Sequence, residues 1–122
     1  MRPTPKKTYD EIVKERPACE RRAVFNDHVC QGRSTMEHAL IYAGKQIIDK
    51  WAIIRLCAYS HGVDEYQDNN ILDKGKNQLI ALMHATPEDL AKYPKANWEQ
   101  LQSNLENKYG IHASKKGAKG KR

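Results

Sequence analysis

Apolar residues recur at helical spacing through the C-terminal half of the chain and in short β-rich runs before it. Leu79, Ile80, Leu82 and Met83 predict a helix over about 74–84, with Asp73 placed to cap it. Thr86, Pro87, Glu88 and Asp89 supply an N-cap, a first-turn proline and two acids for the positive end of a helix dipole; that short helix must end before Pro94. Asn97 with Gln100 resembles a capping box, and Trp98, Leu101, Leu105 and Tyr109 repeat on one face until Gly110, which predicts the last helix. Upstream the period shortens. Residues 51–56, an apolar β-rich run bounded by polar residues, predict a strand. Residues 23–25 and 28–35, punctuated by Gly32, predict strand, turn, strand, whereas 36–48 are ambiguous. Residues 9–14 start a short helix that Pro17 stops, so residues 1–17 read as a loosely attached, flexible basic arm.

With 122 residues, 39% of them hydrophobic, and a mean hydropathy of −0.83, the chain predicts one small domain. A domain of this size buries only about two-thirds of its unfolded surface, so a metal or a partner is a natural aid to stability. No apolar run approaches the roughly 20 residues a bilayer needs, and the first ten residues lack a signal-peptide core. The expectation is therefore a soluble, cytoplasmic protein without a membrane partner, whose three cysteines are thiols rather than disulfides.

The formal net charge of +6 is unevenly placed. Lys115, Lys116, Lys119, Lys121 and Arg122 lie in residues 114–122, and three more cations lie in residues 1–7, with no acid in either segment. Setting those eight aside leaves 13 basic and 15 acidic groups, so residues 8–113 carry −2 and the ends carry the basic character. Residues 114–122, rich in Gly and Lys, predict a disordered tail attracted to phosphate, and residues 18–113 the folded domain. No Gly-x-x-x-x-Gly-Lys-[Ser/Thr] is present, which argues against ATP hydrolysis. Lys45 and Lys50 fit phosphate contact and a solvated face equally well.

The stretches that carry chemistry are Cys30-Gln-Gly-Arg33-Ser-Thr-Met-Glu37-His38 and Leu56-Cys57-Ala-Tyr-Ser60-His61-Gly. A carboxylate beside one histidine, with a second histidine later, can offer oxygen and imidazole ligands to a divalent ion while the other imidazole stays free as a base. That is the apparatus of metal-assisted phosphodiester cleavage. His28, His84 and His112, taken singly, fit surface or packing roles as well. The region from Cys19 to Leu82 resembles the HNH endonuclease family, in its small phage-like or mobile-element-like members. The resemblance rests on Glu37-His38, on Leu56-Cys57 and on the 23 residues from His38 to His61.

The resemblance implies a β-ribbon and helix of the ββα-metal type, with His38 as general base and with Glu37 and His61 as ligands of Mg²⁺, Mn²⁺ or Zn²⁺. Arg33, before the acidic residue, fits contact with a phosphate of DNA and the role of an ordinary surface arginine equally well. Ala52 stands where the family has Asn, with Asp49, Asn69, Asn70 and Asn77 as candidate substitutes to orient His38. Ser60 replaces the second cysteine of the family's Cys-x-x-Cys pair. Cys19, Cys30 and Cys57, with His28 as a fourth donor, are the candidates for structural zinc; otherwise they are small buried hydrophobes. The expected architecture is α+β, a small β-ribbon plus helix covered by C-terminal helices. The expected function is a metal-dependent DNA endonuclease or nickase. Its rivals are a non-catalytic nucleic-acid-binding or recombination accessory protein on a decayed nuclease fold, supported by Ala52 and Ser60, and a small structural zinc protein.

Overall fold

The computed structural model describes residues 4–68 and 71–111. The fold is α+β, and its centre is an antiparallel pair of strands, β1 (Ser34–His38) and β4 (Ile53–Cys57). Ser34 lies opposite Cys57 and His38 opposite Ile53, and the ladder runs one step further where the Ala39 amide donates to the Ala52 carbonyl at 2.9 Å. Because side chains alternate along a strand, Thr35 and Glu37 share a face with Ile54 and Leu56, while Met36 and His38 share the other with Ile53 and Arg55. Every residue of β4 is buried.

Between the strands lies a hairpin, β2 (Ile41–Tyr42) and β3 (Lys45–Gln46). Its two-residue turn has φ of 52° at Ala43 and 80° at Gly44, the twist that suits a tight hairpin, so the ambiguous segment resolves into the end of β1 and this hairpin. A 3-10 turn, Lys50–Ala52, then leads into β4, slightly later than the strand predicted over 51–56.

The C-terminal helices match the hydrophobic pattern. Helix α4 (Lys74–His84) is capped by the Asp73 carboxylate, which accepts from the Gly75 and Lys76 amides. Helix α5 (Pro87–Ala91) carries a complete capping box between Thr86 and Asp89, and α6 (Trp98–Tyr109) starts on Asn97 and ends at Gly110 with φ of 68°. Leu79, Leu82 and Leu105 from α4 and α6 join Ile54, Leu56 and Trp51 in one core. Trp51 meets the rings of Tyr93 and Trp98 edge-on, with centroids 6.2 Å away in each case. No helix among the described residues is long and apolar enough to cross a membrane.

Two N-terminal segments differ from expectation. Residues 20–25 form helix α2 (Glu20–Phe25), not the strand predicted over 23–25, and residues 28–33 lie outside any strand, the ladder starting only at Ser34. Tertiary anchors override the local bias. The Glu20 carboxylate is buried, accepting the Arg55 amide at 2.8 Å and bonding His84, while Arg21 reaches back to Asp27. The segment expected as a flexible arm also carries structure in its described part, residues 4–17. There α1 (Lys6–Glu15) buries Ile12, and Arg16 donates to the Ile53 and Lys50 carbonyls at 2.8 and 3.1 Å. Helix α3 (Ala58–His61) follows β4 directly and ends on Gly62, with φ of 71°. It completes a strand–strand–helix unit that presents His61 at its last turn.

Candidate functional site

Cys19, His28, Cys30 and Cys57 converge at the start of α2, in the loop before β1 and at the end of β4. Their donor atoms all lie within 4.8 Å of one another, close enough to hold a metal ion. His28 Nε2 is 3.6, 3.7 and 3.4 Å from the sulfurs of Cys19, Cys30 and Cys57. A ring nitrogen offers one proton or one lone pair, so it satisfies one sulfur at a time; three equal approaches outline a cage for a cation. The other ring nitrogen is fixed. His28 Nδ1 donates to Asp27 Oδ1 at 2.7 Å, which leaves Nε2 with its lone pair turned towards the sulfurs.

Asp27 is in turn held by Arg21 Nε and Lys76 Nζ, at 2.8 and 2.7 Å from Oδ2. Those charge-assisted bonds outweigh its burial and keep its carboxyl well below the usual range. Ser60, where a second cysteine was sought, instead bonds to the cage: its amide donates to Cys57 Sγ at 3.5 Å and its hydroxyl lies 3.4 and 3.6 Å from Cys57 and Cys19. Burial opposes ionisation of Cys57, yet the hydrogen bonds from Ser60, the Gln31 backbone and His28 prevail and lower its pKa. Cys30 moves the other way, pushed up by burial and by the neighbouring sulfurs of Cys19 and Cys57. Cys57 and Cys30 are thus driven in opposite directions, and a bound cation would favour the thiolate of both. Sequence reasoning had the three cysteines and raised His28; Asp27, one residue before a histidine, was the signal it missed.

Glu37 and His61 also meet, with His61 Nε2 3.1 Å from Glu37 Oε1. Both side chains are about four-fifths buried, at 18% and 19% exposure. Thr35 sets the ring: its hydroxyl donates to the Leu56 carbonyl at 2.9 Å and lies 2.6 Å from His61 Nδ1. With the Thr35 proton on Leu56, Thr35 accepts from Nδ1–H and Nε2 turns its lone pair towards Glu37, the arrangement that suits a shared cation; with the Thr35 proton on Nδ1, Nε2–H donates to Glu37 in an ordinary hydrogen bond.

His38 faces the other side of the ribbon. Its Nε2 is 2.8 Å from Thr4 Oγ1, and its ring meets Tyr9 of α1 edge-on at 6.3 Å. Burial holds the imidazole below the ordinary histidine range, against the pull of Glu37. As the last residue of β1 it nevertheless lines, with Glu37, Lys74 and Gln78, a cavity of about 370 Å³. The expected orienting groups do not reach it: Ala52 is buried, Asp49 accepts from the Tyr93 hydroxyl at 2.6 Å, and Asn77 is buried in α4 with neither amide atom partnered among the described residues. Asn69 and Asn70 lie outside the described residues, as do His112, Lys115, Lys116, Lys119, Lys121 and Arg122. Arg33, a candidate phosphate contact, forms an exposed two-pronged pair with Asp64 at 2.8 and 3.1 Å. His84 belongs to the Glu20 network.

Comparison with protein-family models, with curated proteins and with solved structures finds no match for this chain.

Proposed function

We propose that the chain is a metal-dependent DNA endonuclease or nickase of HNH type, whose strand–strand–helix unit is stiffened by a structural zinc ion. The observation that carries the reading is the Glu37–His61 pair. A carboxylate oxygen and a ring nitrogen 3.1 Å apart form a donor pair that would hold one divalent ion. The Cys19, His28, Cys30 and Cys57 cage suits zinc: tetrahedral bonds of about 2.3 Å to sulfur and 2.0–2.1 Å to nitrogen give nitrogen–sulfur edges of about 3.6 Å. The three such edges here are 3.6, 3.7 and 3.4 Å.

The divalent ion, Mg²⁺ or Mn²⁺, supplies charge stabilisation for the departing 3′ oxygen when bound. The chain's own residues do the rest. Glu37 and His61 fix the ion's place, with Thr35 holding the His61 ring in its ligating tautomer. His38, at the open end of β1, takes the proton of the attacking water through Nδ1, which has no partner among the described residues. Lys74 faces the same cavity and offers a cation to the scissile phosphate. Basic residues 115–122, with Arg33 once it exchanges Asp64 for a phosphate, add affinity independent of sequence that weakens steeply with salt.

Plasmid nicking in Mg²⁺ or Mn²⁺ tests the reading. His38→Ala should lower the rate by about 10²- to 10⁴-fold, the usual contribution of a positioned base. Glu37→Gln, which removes the anionic ligand, should lose nicking at the Mg²⁺ or Mn²⁺ concentration that saturates the wild type. Nicking unchanged in His38→Ala removes the assigned base. The second reading, a non-catalytic DNA-binding protein on the same fold, is favoured by Ala52, which is buried and has no polar side chain to orient His38; salt-sensitive DNA binding with no cleavage under any metal decides for it.

A further inference from the structure

We infer that Thr4 is the positioning residue of His38, accepting a hydrogen bond from Nε2–H and so keeping the Nδ1 lone pair free for the water proton; this rests on the nuclease reading above. The contact spans 34 positions of sequence, with Thr4 Oγ1 and His38 Nε2 2.8 Å apart, and no other side chain among the described residues hydrogen-bonds the ring. Ala52, near His38 across the ladder, has no polar side chain to offer.

Thr4 is unusually well placed for so terminal a residue. It lies between Pro3 and Pro5: a residue before proline is confined to extended backbone, and Pro5 has its own φ fixed, here at −61°. Its hydroxyl therefore loses little freedom in holding the ring. Helix α1 then anchors the segment further on, through buried Ile12 and through Arg16 on the Ile53 and Lys50 carbonyls. Tyr9, edge-on to the ring, limits its rotation. The Nε2–H tautomer assigned here is also the one a free histidine prefers in water.

Thr4→Val keeps the shape and removes the acceptor, and Thr4→Ser restores it. Imidazole nitrogen NMR of the full-length protein should show His38 as Nε2–H in the wild type, a mixture in Thr4→Val, and Nε2–H again in Thr4→Ser. A wild-type His38 in the Nδ1–H form, or an unchanged ratio in Thr4→Val, overturns the assignment without reference to activity. In the nicking assay Thr4→Val should lower kcat by about 10- to 100-fold, the usual effect of losing an orienting partner, with KM unchanged and recovery in Thr4→Ser. If Thr4→Val nicks like the wild type while His38→Ala is inactive, the positioning role fails and the nuclease reading stands. If the wild type never nicks, the nuclease reading fails and the NMR result alone decides the contact.

Discussion

Replacing Asp27 by Asn removes one negative charge at the point where three donors converge. The carboxylate receives His28 Nδ1 at 2.7 Å on one oxygen and Arg21 and Lys76 at 2.8 and 2.7 Å on the other. An amide retains one oxygen and turns an NH₂ group towards the remaining donors. Two effects separate. The Arg21 side chain is 3% exposed, and stranding a buried charge costs about 3–5 kcal/mol; with Asp27 itself 19% exposed, the lower end, about 3 kcal/mol, applies. At a urea m-value of about 1.5 kcal/mol/M this moves the unfolding midpoint by about 2 M. Independently, an imidazole that loses its carboxylate partner binds metal about 10- to 100-fold more weakly, or about 1.4–2.7 kcal/mol. Zinc competition against a chromophoric chelator and urea unfolding of the metal-free protein measure the two terms. Arg22→Ala, which removes an exposed bond to Asn26, is the control and should stay within about 0.5 kcal/mol of wild type. Zinc affinity of Asp27→Asn within threefold of wild type would refute the role assigned to Asp27.

Asp73→Ala removes the cap of α4 and the 2.7 Å bond from the Tyr109 hydroxyl, and should cost about 1–2 kcal/mol at pH 7 by denaturant unfolding. Although burial raises the Asp73 pKa, the bonds from Tyr109 and the Lys76 and Gly75 amides lower it below the ordinary 3.8; its charge-dependent stabilisation is thus complete above pH 3.8 and is lost as pH falls through the folded value, so the gap between wild type and Asp73→Ala should narrow in acid. Gly32→Ala should cost about 2–4 kcal/mol, since φ is +84° and the added Cβ would come within 2.7 Å of the Ala58 Cβ. Gly44→Ala, with φ of +80° and nothing within 4 Å, should lose only the conformational part, about 1 kcal/mol; equal losses at the two sites would discredit the packing argument.

The elements legible in the sequence are those whose stability is local. Helices α4, α5 and α6 carry their caps and apolar stripes within their own residues, so Asp73, Thr86 and Asn97 marked their starts directly. β4 declared itself as an apolar, β-rich run bounded by polar residues. Helix α2 could not, because it is held from outside by the Arg55 amide, His84 and Asp27 rather than by any periodicity. The same division runs through the candidate site. The resemblance to HNH endonucleases brought Glu37 and His61 under suspicion together, and the three cysteines likewise. The groups that fix their orientation are Thr35, Asp27 and Ser60, and Thr4 on the far side of the ribbon. They are small polar residues whose significance depends on which imidazole or sulfur they face, and that is a property of the folded chain alone.

The donors of the cysteine and histidine cage are spaced unequally, with three in residues 19–30 and the fourth 27 positions later at Cys57. Drawing in Cys57 closes a loop whose entropy costs about 3 kcal/mol, and β1 lies inside that loop. Zipping β1 onto β4 closes the same loop, because it sets Ser34 opposite Cys57 and so delivers that sulfur to within a few residues of Cys30. An ion held by the four donors would tie together the same two stretches of chain that strand pairing already joins: whichever came first would meet the entropic cost, and the other would follow almost without one, so chelation would lengthen the lifetime of the β1–β4 ribbon.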